Sequence, residues 1–536
     1  MNLRSAVLIF PPNWTSCVYG PHLALPLLSG GIQTLGLECS VWDLTQEFVR
    51  NFTTPPSRNE IVQACRLSDY AALDSLYFKW EDQFINLSGH MVEPKTSGLL
   101  SGFSFGHFRS LPLADAIVLL RNNSPYSRFY RDRVLPRLAA EKPALIGITV
   151  SSQEQLLPAL ELLELIREEF PDTFLVLGGN IITRLRDTSA FPFLCTLVDQ
   201  VVLYQGDLAI RQTTQTVAEL GSVKAREVLP HVISTENVPY ESWAIPSFDG
   251  IALDNYIGVP AIPYVSTRGC YWGKCHFCAI PAGWSKTGYA GSSPADFIVS
   301  QLEEMRSKTG VGCIKFVDEA VAPSKAKELS KSLIQSNVNI EWEGYARLEP
   351  AWEDTGFLER AYAGGLRKLY FGLEQAPTAS RVLFGKNDSG NPMRILKACA
   401  RTGIKVHLFC MVGHPGTTKD DADATVAFLL ANQELVDTAD LVGFRLDRGT
   451  VVPGVNPLPP MNEWSMSLQY EPATPGGLTQ EAVNELEAEC QEILWEKVPR
   501  LLHPLYRVVG HWRDDEALSK TELPTTEEAS CLANSV

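Results

Sequence analysis

Two separate runs of alternating strands and helices predict an α/β chain. It consists of an N-terminal Rossmann-like parallel-sheet domain, a partial (β/α)6 barrel, and a mainly helical C-terminal region. Three observations carry this reading. The strand segments of the first run are nearly continuous in apolar residues, as strands covered on both faces are. A helix between them repeats leucines at three- and four-residue spacing. The residues able to do chemistry in the second run fall at the ends of its strands, which is the catalytic face of a β/α barrel.

The first run occupies residues 1–225. Ala6–Phe10 is a short apolar strand halted by Pro11-Pro12, followed by an apolar helix around Leu23–Leu35 and a second strand, Glu38–Trp42, ending in Asp43. A helical insertion at about 45–139, richer in aromatic and polar residues, interrupts the alternation. It resumes with a strand at Ala144–Val150, a helix at Gln153–Phe170 and a strand at Phe174–Leu177. The helix carries Leu156, Leu157, Leu160, Leu163 and Ile166 on one face. Leu197–Leu203 and Asp207–Glu219 complete the domain as strand and helix. Open parallel sheets bind ligands beyond the carboxyl ends of their strands. Here those ends carry Thr149–Ser152, Gly178–Asn180 and Tyr204–Asp207, where glycine and small polar side chains let a large ligand reach backbone.

Residues 226–261 read as a linker broken by Pro239 and Pro246. The second run, 262–450, has strands at Ile262–Thr267, Cys313–Val317, Ile340–Ala346, Leu366–Gly372, Ile404–Met411 and Leu441–Leu446. Helices lie between them at Pro294–Lys308, Ser324–Gln335, Glu353–Ala363, Met393–Thr402 and Lys419–Ala431. Asp318-Glu319, Arg347, Glu374, His414-Pro415-Gly416 and Arg445 each follow or end a strand. In 451–514 prolines give way to a helix at Gln480–Trp495, and 515–536 is a polar, acidic tail expected to be mobile.

Forty-six Lys and Arg against 62 Asp and Glu leave a net charge of −16, which argues against a protein built to cover nucleic acid. No apolar run approaches the roughly 20 residues of a membrane span, and Ala6–Phe10 is too short for the core of a secretion signal. A cytoplasmic protein with no membrane partner is expected.

Twelve cysteines are too few for a disulfide scaffold in a chain of this length. Nine of them, Cys17, Cys39, Cys65, Cys195, Cys313, Cys399, Cys410, Cys490 and Cys531, are scattered singly and read as packing residues. Cys270, Cys275 and Cys278 are packed into one loop, Ser266-Thr267-Arg268-Gly269-Cys270-Tyr271-Trp272-Gly273-Lys274-Cys275-His276-Phe277-Cys278. Three thiolates on a short loop can take three corners of an iron–sulfur cubane and leave the fourth iron open. A zinc site is the alternative, with His276 as the fourth ligand inside the loop. Of the histidines, His22, His107, His407 and His503 read as structural, and His414 is a candidate substrate contact.

This loop resembles that of the radical S-adenosylmethionine (SAM) superfamily, in which it follows the first barrel strand and has an aromatic, here Phe277, before the last cysteine. The spacing departs from the usual Cys-x3-Cys-x2-Cys by one residue between Cys270 and Cys275. The resemblance extends over about 260–450 through Phe316-Val317-Asp318-Glu319, Gly364-Gly365-Leu366-Arg367 with Tyr370–Glu374, and Phe409–Thr418. It implies a 4Fe–4S cluster on Cys270, Cys275 and Cys278, with S-adenosylmethionine held by Asp318, Arg347, Glu374 and backbone at Gly413 and Gly416. The N-terminal domain, with Pro11-Pro12, Gly178-Gly179-Asn180 and Gln205-Gly206-Asp207, is similar to the cobalamin-binding domains that precede this class of barrel. Ser151, Gly178 and Gly179 are its implied cobalamin contacts. No Asp-x-His-x-x-Gly occurs, so no histidine of that motif coordinates cobalt.

The activity implied is a cobalamin-dependent C-methyltransferase acting on an unactivated carbon of a small metabolite or peptide natural product. It would be supplied with electrons by an external donor such as a flavodoxin or ferredoxin. Rearrangement, cyclisation or oxidation with the same cofactors is the nearest alternative. A non-catalytic iron–sulfur electron-transfer protein is the alternative from another class.

Overall fold

The computed structural model describes residues 6–13, 19–88, 124–258, 261–376, 384–386, 389–457, 468–470, 472–473 and 478–509. The expectations about Cys17, His107, Cys531 and the tail at 515–536 lie outside these residues, as does the middle of the insertion.

In the first domain β1 (Ala6–Phe10) lies between β2 (Cys39–Asp43) and β3 (Leu145–Thr149), with Leu8 opposite both Val41 and Gly147. The sheet continues through β4 (Phe174–Gly178), β5 (Gln200–Tyr204) and β6 (Val232–Thr235), in the order β2-β1-β3-β4-β5-β6 and parallel throughout. Although β1, β3 and β4 are buried almost throughout, alternate residues serve different cores. Val7, Ile9, Ile146, Ile148, Leu175 and Leu177 pack on one face; Ala6, Leu8, Leu145, Phe174 and Val176 pack on the other. That double burial is why these strands read as unbroken apolar runs.

The sixth strand differs from the expected linker. Val232–Thr235 is a sheet edge whose residues alternate between exposed and half-buried, so it lacks the apolar run that marks its neighbours. The described part of the insertion is helical at Leu44–Phe52, Arg58–Leu67, Tyr70–Ser88, Pro125–Phe129 and Leu135–Glu141.

The second sheet contains β7 (Ala261–Tyr264), β10 (Cys313–Phe316), β11 (Glu341–Ala346), β12 (Leu366–Glu374), β13 (Lys405–Val412) and β14 (Thr438–Gly443). All pairs are parallel, and β7 and β14 remain as the two open edges, so the barrel is partial. One set of strand residues, including Ile314, Trp342, Leu369, Phe371, Val406, Leu408 and Leu441, joins the large apolar core. The alternate set is polar and aromatic: Lys315, Glu343, Tyr345, Lys368, Tyr370, His407, Phe409 and Asp440. These groups meet one another and their neighbours Asp437 and Thr438 through Lys315–Glu343 at 3.7 Å, Lys368–Asp437 at 3.8 Å, and a His407 Nδ1 to Thr438 Oγ1 contact of 2.8 Å. Arg507, from the short C-terminal helix Pro504–Val509, pairs with Asp440. The helix Gln480–Lys497 packs Leu486, Cys490 and Leu494 into the barrel core. Among the described residues no helix is long and apolar enough to cross a membrane.

Candidate functional site

After β7 the chain turns into β8 (Thr267–Gly269), which pairs antiparallel with β9 (Tyr289–Ser292), and the cysteine loop is the excursion between them. Gly269 is required there: its φ is +83°, and a Cβ would fall 2.1 Å from the Gly288 carbonyl oxygen. All three cysteines are free and partly exposed. Burial pushes the Cys275 thiol up to about 11 and the Cys278 thiol up to about 12, so each becomes a thiolate ligand only when a cation supplies countercharge. Among the described residues no trio of His, Cys, Asp or Glu converges around a single-ion position.

A separate short segment, Phe384–Lys386, fastens the loop. The His276 amide donates to the Phe384 carbonyl at 2.8 Å, the Trp272 indole donates to the Gly385 carbonyl at 3.1 Å, and Phe277 meets Phe384 edge to face. Arg347 lies 4.2 Å over the Trp272 ring and pairs with Glu349 at 2.8 Å, which also accepts from the Tyr271 hydroxyl at 2.9 Å.

Of the other barrel residues expected to hold cofactor, Glu374 ends β12 with φ +60° and accepts from Lys386 Nζ at 2.7 Å. Asp318 is fully buried and accepts from both the backbone amide and the hydroxyl of Ser266, which ties the end of β10 to the end of β7. Gly413 and Gly416 both have positive φ, and a Cβ on Gly413 would lie 2.8 Å from Val483 of the helix Gln480–Lys497. His414 is buried between Phe384 and Phe444, its Nδ1 2.8 Å from the Pro415 carbonyl, and burial holds it down at about 4 and so neutral.

The N-terminal candidates come together elsewhere. Ser151, Gly178 and Gly179 line a cavity of about 330 Å³ at the carboxyl end of the first sheet, beside the switch in strand order between β1 and β3. Gly179 (φ +111°) admits no side chain, since a Cβ would lie 2.2 Å from the Val150 carbonyl oxygen. The cavity is also walled by Val265, Arg268, Trp284, Val317 and Glu319 from the barrel side. Glu319 accepts from the Trp284 indole at 2.7 Å, and burial pushes its carboxyl up to about 7.

Sequence reasoning missed several of these residues. His22, read as structural, lines the cavity, stacked on Phe10 at 4.8 Å, with Nδ1 accepting from the Ala24 amide at 3.2 Å. Arg268 and Lys386 were not singled out. The signal for Arg268 is a lone charge inside the buried run Ser266-Thr267-Arg268-Gly269. Lys386 had no local signal, because its partner is 12 residues away.

The cavity suits a corrinoid in donor set. Glycine at 178, 179 and 206 lets a large ring approach backbone, and Asn180 Oδ1, the Tyr204 hydroxyl, Gln205 Nε2, and Nε and Nη2 of Arg268 are buried without partners. Groups of that kind are completed by a ligand that both donates and accepts.

Comparison with known proteins bears on both halves of the chain. Residues 264–429 match the family model of the Radical SAM superfamily. The fold is shared with the radical S-adenosylmethionine methyltransferase TsrM from Kitasatospora setae, solved with cobalamin and a [4Fe-4S] cluster bound. Identity is 14%, over 94% of this chain and 91% of that one, with a TM-score of 0.55. It is shared also with the cobalamin-dependent S-adenosylmethionine radical enzyme OxsB, solved with aqua-cobalamin and S-adenosylmethionine bound. There identity is 13%, over 92% of this chain and 67% of that one, with a TM-score of 0.58. No curated protein matches the chain. Residues 264–429 therefore form a Radical SAM domain, in a chain whose overall fold is shared with TsrM and OxsB.

Proposed function

We propose that this enzyme holds a 4Fe–4S cluster on Cys270, Cys275 and Cys278, binds S-adenosylmethionine and cobalamin, and methylates an unactivated carbon of a small metabolite or peptide natural product. The observation that carries the reading is the cavity between the two sheets. The cobalamin candidates Ser151, Gly178 and Gly179 line it from one side, and Val265, Arg268, Val317 and Glu319, which flank the cysteine loop and the barrel top, line it from the other. TsrM and OxsB, whose fold is shared, are cobalamin-binding proteins.

When bound, these cofactors supply one-electron chemistry and a transferable methyl group; the protein supplies position and exclusion of water. The segment Phe384–Lys386 and Arg347 both hold Trp272 of the cysteine loop. Glu374 and Arg347 offer a carboxylate and a guanidinium near that loop, suited to the amino and carboxylate ends of S-adenosylmethionine. Glu319, raised by burial to about 7, can take up and release a proton near neutral pH at the boundary between cavity and barrel. An external electron donor completes the reading.

The test is anaerobic reconstitution with iron and sulfide, reduction in the presence of S-adenosylmethionine and cobalamin, and assay for 5′-deoxyadenosine with and without candidate substrates. The reading predicts 5′-deoxyadenosine that disappears when any of the three cysteines is replaced. Its complete absence would argue for a catalytically silent iron–sulfur protein.

A further inference from the structure

Arg268 stands two residues before Cys270, yet its side chain reaches the other domain. Nη1 donates to Gln205 Oε1 at 2.7 Å and to the carboxylate of Asp207, and the guanidinium lies 4.1 Å over the Trp243 ring. Gln205 and Asp207 sit where β5 passes into the helix Gly206–Leu220, so one cation ties the cysteine loop to the head of the first sheet. Arg268 and Asp207 are 1% and 2% exposed. Both line the cavity.

That link uses only part of the side chain. Nε and Nη2 of Arg268 are buried without partners, as is Nε2 of Gln205 beside it; Asn180 Oδ1, also lining the cavity, is a buried acceptor in the same condition. A buried pair of charges tolerates missing hydrogen bonds poorly, because the desolvated donors gain nothing in return. A guanidinium needed only to join two domains would be expected to spend its fork on Asp207 in bidentate fashion. Here one nitrogen makes both hydrogen bonds to protein and two are left over. A corrin ring is fringed with carboxamides, whose carbonyls accept from such donors and whose amides donate to an acceptor like Asn180.

We propose that Arg268 is a corrinoid-binding and positioning residue, which anchors the cysteine loop through Nη1 and offers Nε and Nη2 to the carboxamide edge of a corrinoid in the interdomain cavity. One side chain would thereby touch both the corrinoid site and the cysteine loop. The inference rests on the cobalamin reading given above, and the unsubstituted protein tests that reading by itself.

The experiment is equilibrium titration of the full-length, iron- and sulfide-reconstituted protein with hydroxocobalamin, followed by visible absorption. R268Q alone strands a buried carboxylate and risks misfolding, so the informative variant is R268Q/D207N, which keeps the site neutral and polar. It strands no buried charge, so it is expected to keep its Tm without corrinoid, and to bind hydroxocobalamin about tenfold more weakly, the loss of hydrogen bonds from a charged donor. R268K, which retains the charge on Asp207 without the spare donors of the fork, is expected to fall between. Binding within twofold of the unsubstituted protein would overturn the proposal. So would a joint fall in Tm, iron content and affinity, which marks a purely structural link. If the unsubstituted protein itself does not bind hydroxocobalamin, the cobalamin reading fails and the inference fails with it.

Discussion

Lys386 Nζ lies 2.7 Å from a Glu374 carboxylate oxygen and 2.6 Å from the Gly372 carbonyl, so the end of β12 and the segment clamping the cysteine loop are held by one cation. Both side chains are buried. The pair gives Glu374 its countercharge and gives the loop a fixed wall.

Removing the cation should therefore be costly in two ways. K386M is expected to destabilise the protein by about 3 kcal/mol, as an uncompensated buried carboxylate does, and to weaken cluster retention. E374Q/K386M, which removes both charges, should recover most of the stability but not the tie between the clamping segment and β12. Thermal denaturation beside iron analysis separates the two effects. Equal stability in K386M and the double variant would contradict the assignment.

Glu319 makes stability depend on pH. Burial raises its folded-state value from 4.5 to about 7. Folding thus favours the protonated acid, and that advantage is fully present below about 4.5 and is lost as pH rises toward 7. E319Q keeps an acceptor for Trp284 without the charge. Its stability relative to the unsubstituted cofactor-free protein should rise across that interval and level off above it, by roughly 3 kcal/mol. Denaturant titrations at several pH values check this; a pH-independent difference would show that Glu319 remains ionised in the folded protein.

Gly179 combines a left-handed φ with a backbone contact that leaves no room for a methyl group. G179A is expected to cost roughly 2–4 kcal/mol through strain and collision with Val150. S151A, on the same cavity wall but free of such constraint, should leave Tm nearly unchanged. Circular-dichroism melting curves compare them.

Much of this architecture was legible in residue pattern because the forces that produce it are local. The alternation of strand and helix segments located all six barrel strands, although the last begins at Thr438 rather than Leu441. The cysteines were visible because a cluster loop needs its ligands close in sequence. What escaped detection depends on contacts between distant parts of the chain. β6 is a half-exposed edge with no apolar run, and the Arg268–Asp207 link spans 61 positions. The polar face of the barrel sheet was equally hidden, since Lys368, His407 and Asp440 look like surface residues until their strands are paired.

Cluster assembly should depend on each loop cysteine separately. C270A, C275A and C278A are each expected to lower bound iron from about four per chain to below one, with little change in Tm, because all three side chains are partly exposed. Iron and sulfide analysis after reconstitution tests this. Retention of a full complement in any of the three would remove that residue from the ligand set.

The proposed chemistry requires two cofactors to meet between two domains. The visible absorption spectrum of the anaerobically purified, reconstituted protein, with iron and corrinoid quantified, tests it most directly. The account predicts a sulfur-to-iron charge-transfer shoulder together with corrinoid bands, near one cluster and one corrinoid per chain. A cluster spectrum with no corrinoid bands after incubation with hydroxocobalamin, or corrinoid bands with no cluster, would contradict it.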